Sequence, residues 1–375
     1  MDSEDTKQLL EATGRFAAER IAGMAERPEH PASAAQLASL TQEAAELGIL
    51  SQSTAEAGFA IWEDSGDAHA MRFNLGALQQ IAAACPGVAL AWHRQALARH
   101  VAVQLGLAIG EQDLRTLTLM PTGHYGLART SLARWLAGAG LTAEDGALLS
   151  DWLDRSNHPP VLCAPADWSG LIWPVWRAGR IAWHYAARTA LAVNIGKPQH
   201  GFDELAGFEV SLPGVAGETV ELEPARSRQL YAQVLKMELL GLLAIGAGAL
   251  DRGQALARDY VAIRRQGGKL IAEHPAVQQM LSDIEITRTQ ASMALRMCSV
   301  TVDELDLGEL MASRASISPM LCHAANQVVQ IHGGIGYMRD AGPEKLVRDQ
   351  NMLRLMSGGI RDIPLFLAAW TGARQ

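Results

Sequence analysis

The stretch at residues 326–349, NQVVQIHGGIGYMRDAGPEKLVRD, constrains the fold of this chain more than any other. An Ala-rich helical run at 320–331 leads into it, and Gly333 and Gly334 stand where a left-handed C-cap needs a residue without a Cβ. Gly336 allows a further tight bend. Pro343, with its φ already fixed and no N–H to lose, suits the first turn of a following helix. The pattern predicts two helices joined by a corner of bare backbone, with the side-chain amide of Gln330 at its rim. From the residues alone, the glycines either turn the corner of a helix hairpin or let a phosphate or an amide-rich cofactor approach backbone N–H groups. They are not a Rossmann-type fingerprint, because no strand precedes them.

The order Gln330-Ile331-His332-Gly333-Gly334-Ile335-Gly336-Tyr337-Met338, followed by Pro343-Glu344-Lys345-Leu346 and Arg348-Asp349, resembles the C-terminal signature of the acyl-CoA dehydrogenase family. In that family the glutamine and the Gly-Gly pair contact the adenosine half of an FAD that belongs to the neighbouring subunit. The resemblance implies the same role for Gln330, Gly333 and Gly334. It also extends to Arg264-Arg265-Gln266-Gly267-Gly268, which is similar to the family's Arg-x-x-Phe-Gly motif. There the arginine binds the FAD pyrophosphate of the neighbour, a role that suits a fixed cation and falls here on Arg264. Taken alone, Arg264 is also readable as a solvated member of a basic run with Arg265 and Lys269. Gly267 stands where the family has an aromatic residue.

A chain of 375 residues, 49% hydrophobic and 19% charged, is long enough for two or three domains with ordinary globular cores. The formal net charge of -8 argues against a nucleic-acid or anionic-membrane surface, so an anionic CoA ester would need a local basic pocket. Cys85, Cys163, Cys298 and Cys322 are scattered, without metal-ligand spacing, which predicts reduced thiols, no metal site and a cytoplasmic setting. The N-terminal residues are charged and amphipathic, unlike a signal peptide. The longest apolar stretch, 239–250, is shorter than the roughly 20 residues a bilayer crossing takes.

Helical spacing of apolar residues predicts helices at 5–27 (ended by Pro28 and Pro31), 34–47, 71–84 and 87–107, with a loop at 50–66. From 122 to about 214 the texture changes. Trp135, Trp152, Trp168, Trp173, Trp176 and Trp183 cluster there, prolines multiply, and 180–185 and 190–195 look like strands. The tryptophans serve either as core or as a stacking surface for a flavin or adenine. Long helices return at 226–265, 276–302, 308–331 and 343–368, enough for an antiparallel bundle. The expected fold is mainly α with a small β domain: an N-terminal helical domain at 1–121, a middle β domain at 122–215 and a C-terminal four-helix bundle at 216–375. Ala84-Cys85-Pro86-Gly87-Val88-Ala89, with His93 downstream, also resembles a helix break between two N-terminal helices of the family. The order of domains is that of acyl-CoA dehydrogenases.

α,β-Dehydrogenation of an acyl-CoA thioester needs a base for the α-proton opposite a flavin that accepts the β-hydride. Most of the family carries its glutamate in a Tyr-Glu-Gly-Thr stretch, and the matching residues here are Met356-Ser357-Gly358-Gly359. A serine hydroxyl is too weakly basic to substitute. A minority of the family places the base on the first bundle helix, and that position falls on Glu238. There, on a largely apolar helix, desolvation is expected to raise its pKa; the other reading makes Glu238 the solvent edge of the helix. The family's Thr-Glu-Pro-x-x-Gly-Ser-Asp stretch, which holds the flavin ring, has its nearest register at 128–135, without the key residues.

The chain thus keeps the half-site lent to a neighbour and lacks much of its own. The resemblance implies a heteromeric acyl-CoA dehydrogenase, such as a heterotetramer, in which this chain and a second dehydrogenase subunit share FAD. Electrons would pass to an electron-transfer flavoprotein in fatty acid or steroid side-chain degradation. A homo-oligomer, a flavin-dependent oxidase or monooxygenase of the same fold, and a structural subunit are the alternatives. The Glu-x-x-His pairs of a metal-binding bundle are not found.

Overall fold

The computed structural model describes residues 3–25, 30–53, 59–120, 128–154, 161–212 and 214–374, so Pro28 and the predicted boundary at 121–122 lie outside the described residues. The chain begins with α1 (Ser3–Phe16), a π-helical turn (Ala17–Ile21) and α2 (Ala22–Ala25). Then come α3 (Ala34–Glu46), α4 (Ala68–Ala84), α5 (Pro86–Leu105) and α6 (Glu111–Arg115). Local chemistry sets these ends. Ser33 and Gln36 form a reciprocal capping box at the start of α3, and Asp67 accepts from the Ala70 N–H at the start of α4. Pro86 opens α5 after the extended Cys85, which realises the expected break.

The middle of the chain is less purely β than its texture suggested. Strand β1 (Leu117–Leu119) is followed by two helices, α7 (Arg129–Leu136) and α8 (Ala143–Asp154), before β2 (Val161–Ala164). Trp135 and Trp152 therefore sit on helices. Next come β3 (Gly170–Arg177), β4 (Arg180–Ala187), β5 (Ala192–Ile195), β6 (Ala206–Ser211) and β7 (Glu218–Val220). They form two sheets, β1-β3-β4-β7 and β2-β6-β5, with β1 parallel to β3 and the other pairs antiparallel. Alternation gives the first sheet two apolar faces. Leu171, Trp173 and Ala186 pack toward Leu162, Phe208 and Val210 of the second sheet. Ile172, Ile181 and Trp183 instead join the helical core.

The C-terminal part holds α9 (Pro224–Ile263), a hairpin of β8 (Arg265–Gln266) and β9 (Lys269–Leu270), α10 (Pro275–Met297), α11 (Leu307–His332), α12 (Pro343–Leu355) and α13 (Gly359–Ala373). The single helix expected at 343–368 is two helices. Ser357 and Gly358 break it with φ of 53° and 98°, and the buried Arg314 caps the C-terminal end of α12 by donating to the carbonyls of Leu353 (2.6 Å) and Met356 (2.9 Å). Between β8 and β9, Gly267 and Gly268 both take positive φ, the requirement of a two-residue hairpin turn. Gly267, which stands where the resembled family has an aromatic residue, thus serves this turn.

Helix α9 is 40 residues long and reaches a mean hydropathy of 1.5 over an 18-residue window, of which 89% is buried by neighbouring elements. A helix apolar on all sides must be covered on all sides. Here α4, α5, α10, α11 and α12 cover it. The α4 contact is close: a Cβ at Gly248 would stand 2.0 Å from the Gln79 carbonyl oxygen, a backbone atom that cannot swing aside. Gly248→Ala is therefore expected to destabilise the chain by about 1–3 kcal/mol or more by forcing the helices apart. Gly372→Ala, where a Cβ meets nothing within 4 Å, is expected to be neutral or slightly stabilising. Urea unfolding of the two variants checks this, and equal midpoints would count against the close packing.

Candidate functional site

The corner predicted at 333–342 lies beside the end of α9. Helix α11 runs to His332, Gly333 takes φ 60°, and a 3-10 turn covers Gly333–Tyr337. Gly336 approaches the preceding helix so closely that a Cβ would meet the Val329 carbonyl oxygen at 2.5 Å. Around this corner opens a cleft of about 650 Å³. Its walls include Arg264, Gln330, Gly333 and Gly334, so four residues proposed from two separate motifs line one space. Both glycines face open space with nothing within 4 Å of an added Cβ. Arg264 is exposed, and among the described residues no carboxylate pairs with it. Behind them Tyr260 and His332 stack, ring centroids 4.4 Å apart at 25°. His332 donates Nδ1–H to the Val328 carbonyl at 2.8 Å, which fixes the ring's orientation. The cleft thus offers a cation, an amide, bare backbone and an aromatic platform, a set suited to a phosphorylated ligand with a flat ring.

Glu238 lies elsewhere on the same helix, 22 residues before Tyr260 and so about 33 Å away along the axis. It is fully buried, 0% exposed, which agrees with the expected desolvation and sets aside the reading of Glu238 as the solvent edge of its helix. Its Oε1 accepts from Arg94 Nη2 (2.8 Å) and Ser357 Oγ (2.8 Å), and its Oε2 accepts from His93 Nε2 (3.0 Å). The indole N–H of Trp62 donates to His93 Nδ1 at 2.8 Å; an indole can only donate, so the imidazole proton sits on Nε2 and points at the carboxylate. Gly241 makes this possible, since a Cβ there would lie 2.1 Å from His93 Cε1. Glu238 and Ser357, the two positions the sequence resemblance singled out, are joined by one hydrogen bond.

The expected rise in the Glu238 pKa is corrected by this geometry. Burial does push it up, but the Arg94 charge and the hydrogen bonds from His93 and Ser357 push harder the other way and hold it at about 2. Burial lowers the His93 pKa in spite of the carboxylate, so its imidazole is neutral. Glu238 is a buried, fully bonded anion, a poor proton acceptor in this arrangement. Trp62 (φ 60°) and Ser357 (φ 53°) both carry left-handed backbone that costs about 1–3 kcal/mol per residue, and both are tied to this cluster. Helix α5, which carries His93 and Arg94, is buried without interruption from Gly87 to Ala102.

The remaining signature residues hold the bundle to the 200–205 loop. Arg348 makes paired bonds to Asp203 (2.6 and 2.7 Å) and also binds Glu344. Lys345 sits between Asp349 (2.7 Å) and Glu204 (3.2 Å), and Asp349 accepts from the Phe202 N–H at 2.7 Å. Sequence reasoning passed over Arg94, Tyr260 and the role of His332. Tyr260 had a readable signal, one helical turn before Arg264, whereas Arg94 looks like any arginine on a helix. The register at 128–135 forms α7, and its Trp135 packs edge-on against Trp176 and Tyr231 as core. It is not a flavin-holding loop.

Comparison with known proteins gives the same direction. Residues 229–361 match the acyl-CoA dehydrogenase C-terminal domain family. The chain is 35% identical over 123 residues to a 3-sulfinopropanoyl-CoA desulfinase of Paraburkholderia xenovorans, covering 32% of this chain and 30% of that protein. It is 31% identical over 188 residues to an acryloyl-CoA reductase (NADH) of Anaerotignum propionicum, covering 45% and 46%. The matched part thus spans less than half the length of these curated relatives. The fold is shared across the full length: butyryl-CoA dehydrogenase from Megasphaera elsdenii superposes with a TM-score of 0.72 at 15% identity, covering 100% of this chain and 99% of that one. The prolyl acyl carrier protein oxidase AnaB gives 0.72 at 14%, covering 99% and 100%. Residues 229–361 therefore match the acyl-CoA dehydrogenase C-terminal domain family, and the chain from end to end has the fold of the acyl-CoA dehydrogenases.

Proposed function

We propose that this chain is a subunit of a flavin-dependent acyl-CoA dehydrogenase and lends its C-terminal cleft to an FAD shared with a partner subunit. One observation carries the reading: the cleft residues are open and convergent, while the chain's own candidate base is sealed. In the cleft, Arg264 would hold the pyrophosphate, Gln330 and the backbone of Gly333 and Gly334 the adenosine. The stacked Tyr260–His332 pair would support the adenine. The open space in front of both glycines and the unpaired guanidinium fit such a group. When bound, the flavin would accept the β-hydride of an acyl-CoA; the α-proton would go to a base on the partner, and electrons to an electron-transferring flavoprotein. This chain's residues bind and orient, and its Glu238 cluster serves stability.

The test is coexpression with a second dehydrogenase subunit, followed by purification and flavin assay. About one FAD per pair is expected, and a homo-oligomer with one tightly held FAD per chain would overturn the reading. Glu238→Gln, compared with wild type at equal flavin content, is expected to keep acyl-CoA-dependent reduction of an artificial acceptor within about twofold. Loss of a true catalytic base lowers the rate by about 10² to 10⁴. A loss of that size would return Glu238 to the catalytic role that its position in the family implies.

A further inference from the structure

The two sheets of the middle region enclose an apolar core whose open end is a separate cavity. On β3 and β4, Trp173 and His184 face each other in register and point into the space between the sheets, their ring centroids 4.5 Å apart. Beyond them the sandwich opens into a cleft of about 330 Å³, closed on one side by Ser150 and Leu153 of α8. It shares no lining residue with the cleft at Arg264, and it lies within the range of small-molecule sites.

The lining has a definite chemistry. Trp173, Trp176 and His184 supply flat aromatic surface, and Val175, Leu212 and Val215 supply apolar walls. Among the described residues that line the cleft none is acidic, and Arg177 stands exposed at its rim. Among the described residues no carboxylate pairs with this guanidinium. His184 is buried with Nδ1 2.7 Å from Thr219 Oγ1. Burial, with the neighbouring Arg177 charge, lowers its pKa, so the ring is neutral and Arg177 supplies the charge among the described lining residues. In a chain with net charge -8, a locally cationic pocket with aromatic walls selects for a particular kind of guest.

We infer that this mouth of the β sandwich is a second binding site, for a small aromatic carboxylate whose ring lies against Trp173 beside His184 and whose carboxylate meets Arg177. A planar apolar body removes the indole faces from water. The guanidinium then forms a charge-assisted, forked pair with the carboxylate, which a neutral analogue cannot make. Helix α8, which the sequence did not foretell, supplies the wall that turns an open sheet end into a pocket.

The probe is 1-naphthoate, titrated into the purified protein or its complex and followed by quenching of tryptophan fluorescence. Saturable quenching is expected, with 1-naphthamide weaker by about tenfold, as for loss of one charge-assisted bond. Arg177→Gln should weaken naphthoate by a similar factor. Ser150→Trp, an exposed position on the α8 wall, should abolish binding by filling the mouth. Arg264→Glu should leave binding unchanged, because it alters only the other cleft. Absence of saturable quenching overturns the inference. So does naphthoate affinity that survives both Arg177→Gln and Ser150→Trp, or that falls only with Arg264→Glu. Equal affinity for naphthoate and naphthamide overturns the assignment of Arg177 to a carboxylate.

Discussion

Replacement of Arg94 by alanine is expected to destabilise the chain by about 3–5 kcal/mol, the cost of leaving a buried carboxylate without its counter-charge. Glu238 is 0% exposed, and the Arg94 guanidinium is the charge that faces it, with His93 neutral. The hydroxyl of Ser357 and the imidazole of His93 donate hydrogen bonds but carry no compensating charge. The double variant Arg94→Met with Glu238→Met is expected to recover most of the loss, because removing both ions also removes both desolvation costs. Denaturant unfolding of the single and double variants measures this. Equal stability of Arg94→Ala and wild type would mean that the ion pair is absent in solution.

The same pair fixes a pH dependence. In the wild type the folded Glu238 pKa, about 2, lies below its ordinary carboxylate value. A depressed folded pKa contributes stability that is present above the unfolded pKa and lost as pH falls toward the folded one. The Glu238 contribution should therefore fade from about pH 4.5 down toward 2. In Arg94→Ala the main opposing effect is gone and burial dominates, so the folded pKa should rise above the unfolded one. That reverses the sign: the variant regains stability on acidification. The gap between wild type and variant should be widest near neutral pH and narrow in acid.

Arg264→Glu is expected to lower flavin retention in the purified complex by about ten- to a hundredfold. The low end is the loss of a hydrogen bond to a charged group, and repulsion between the new carboxylate and a phosphate adds to it. Folding should be unaffected, since Arg264 is exposed and makes no ion pair among the described residues. Flavin absorbance per chain, beside an unchanged thermal midpoint, is the readout. Gln330→Ala should show a smaller loss, because a neutral amide contributes less than a guanidinium. Wild-type flavin content in Arg264→Glu would remove the cleft from the cofactor site and with it the proposed sharing.

Much of this molecule was legible before any coordinates. Gly333, Gly334 and Pro343 fixed a helix stop, a corner and a helix start, because each residue type answers a backbone requirement that operates over a few positions. The apolar run at 239–250 marked a largely apolar long helix for the same local reason. Arg264 and Gln330 were also named from their motifs, although they lie 66 residues apart.

What they share was decided by packing. The end of α9 and the end of α11 come together because the bundle aligns them, and only then do Arg264, Gln330, Tyr260 and His332 enclose one cleft. The state of Glu238 was beyond sequence reasoning altogether. Its helix neighbours predicted desolvation and a raised pKa, yet the opposite holds, because Arg94 and His93 come from a helix more than 140 residues earlier and Ser357 from a break more than 110 residues later. The sequence left open whether Glu238 was desolvated or at the edge of its helix; both its burial and its charge state depended on which groups the fold carried to it, and electrostatic energy depends on distance in space.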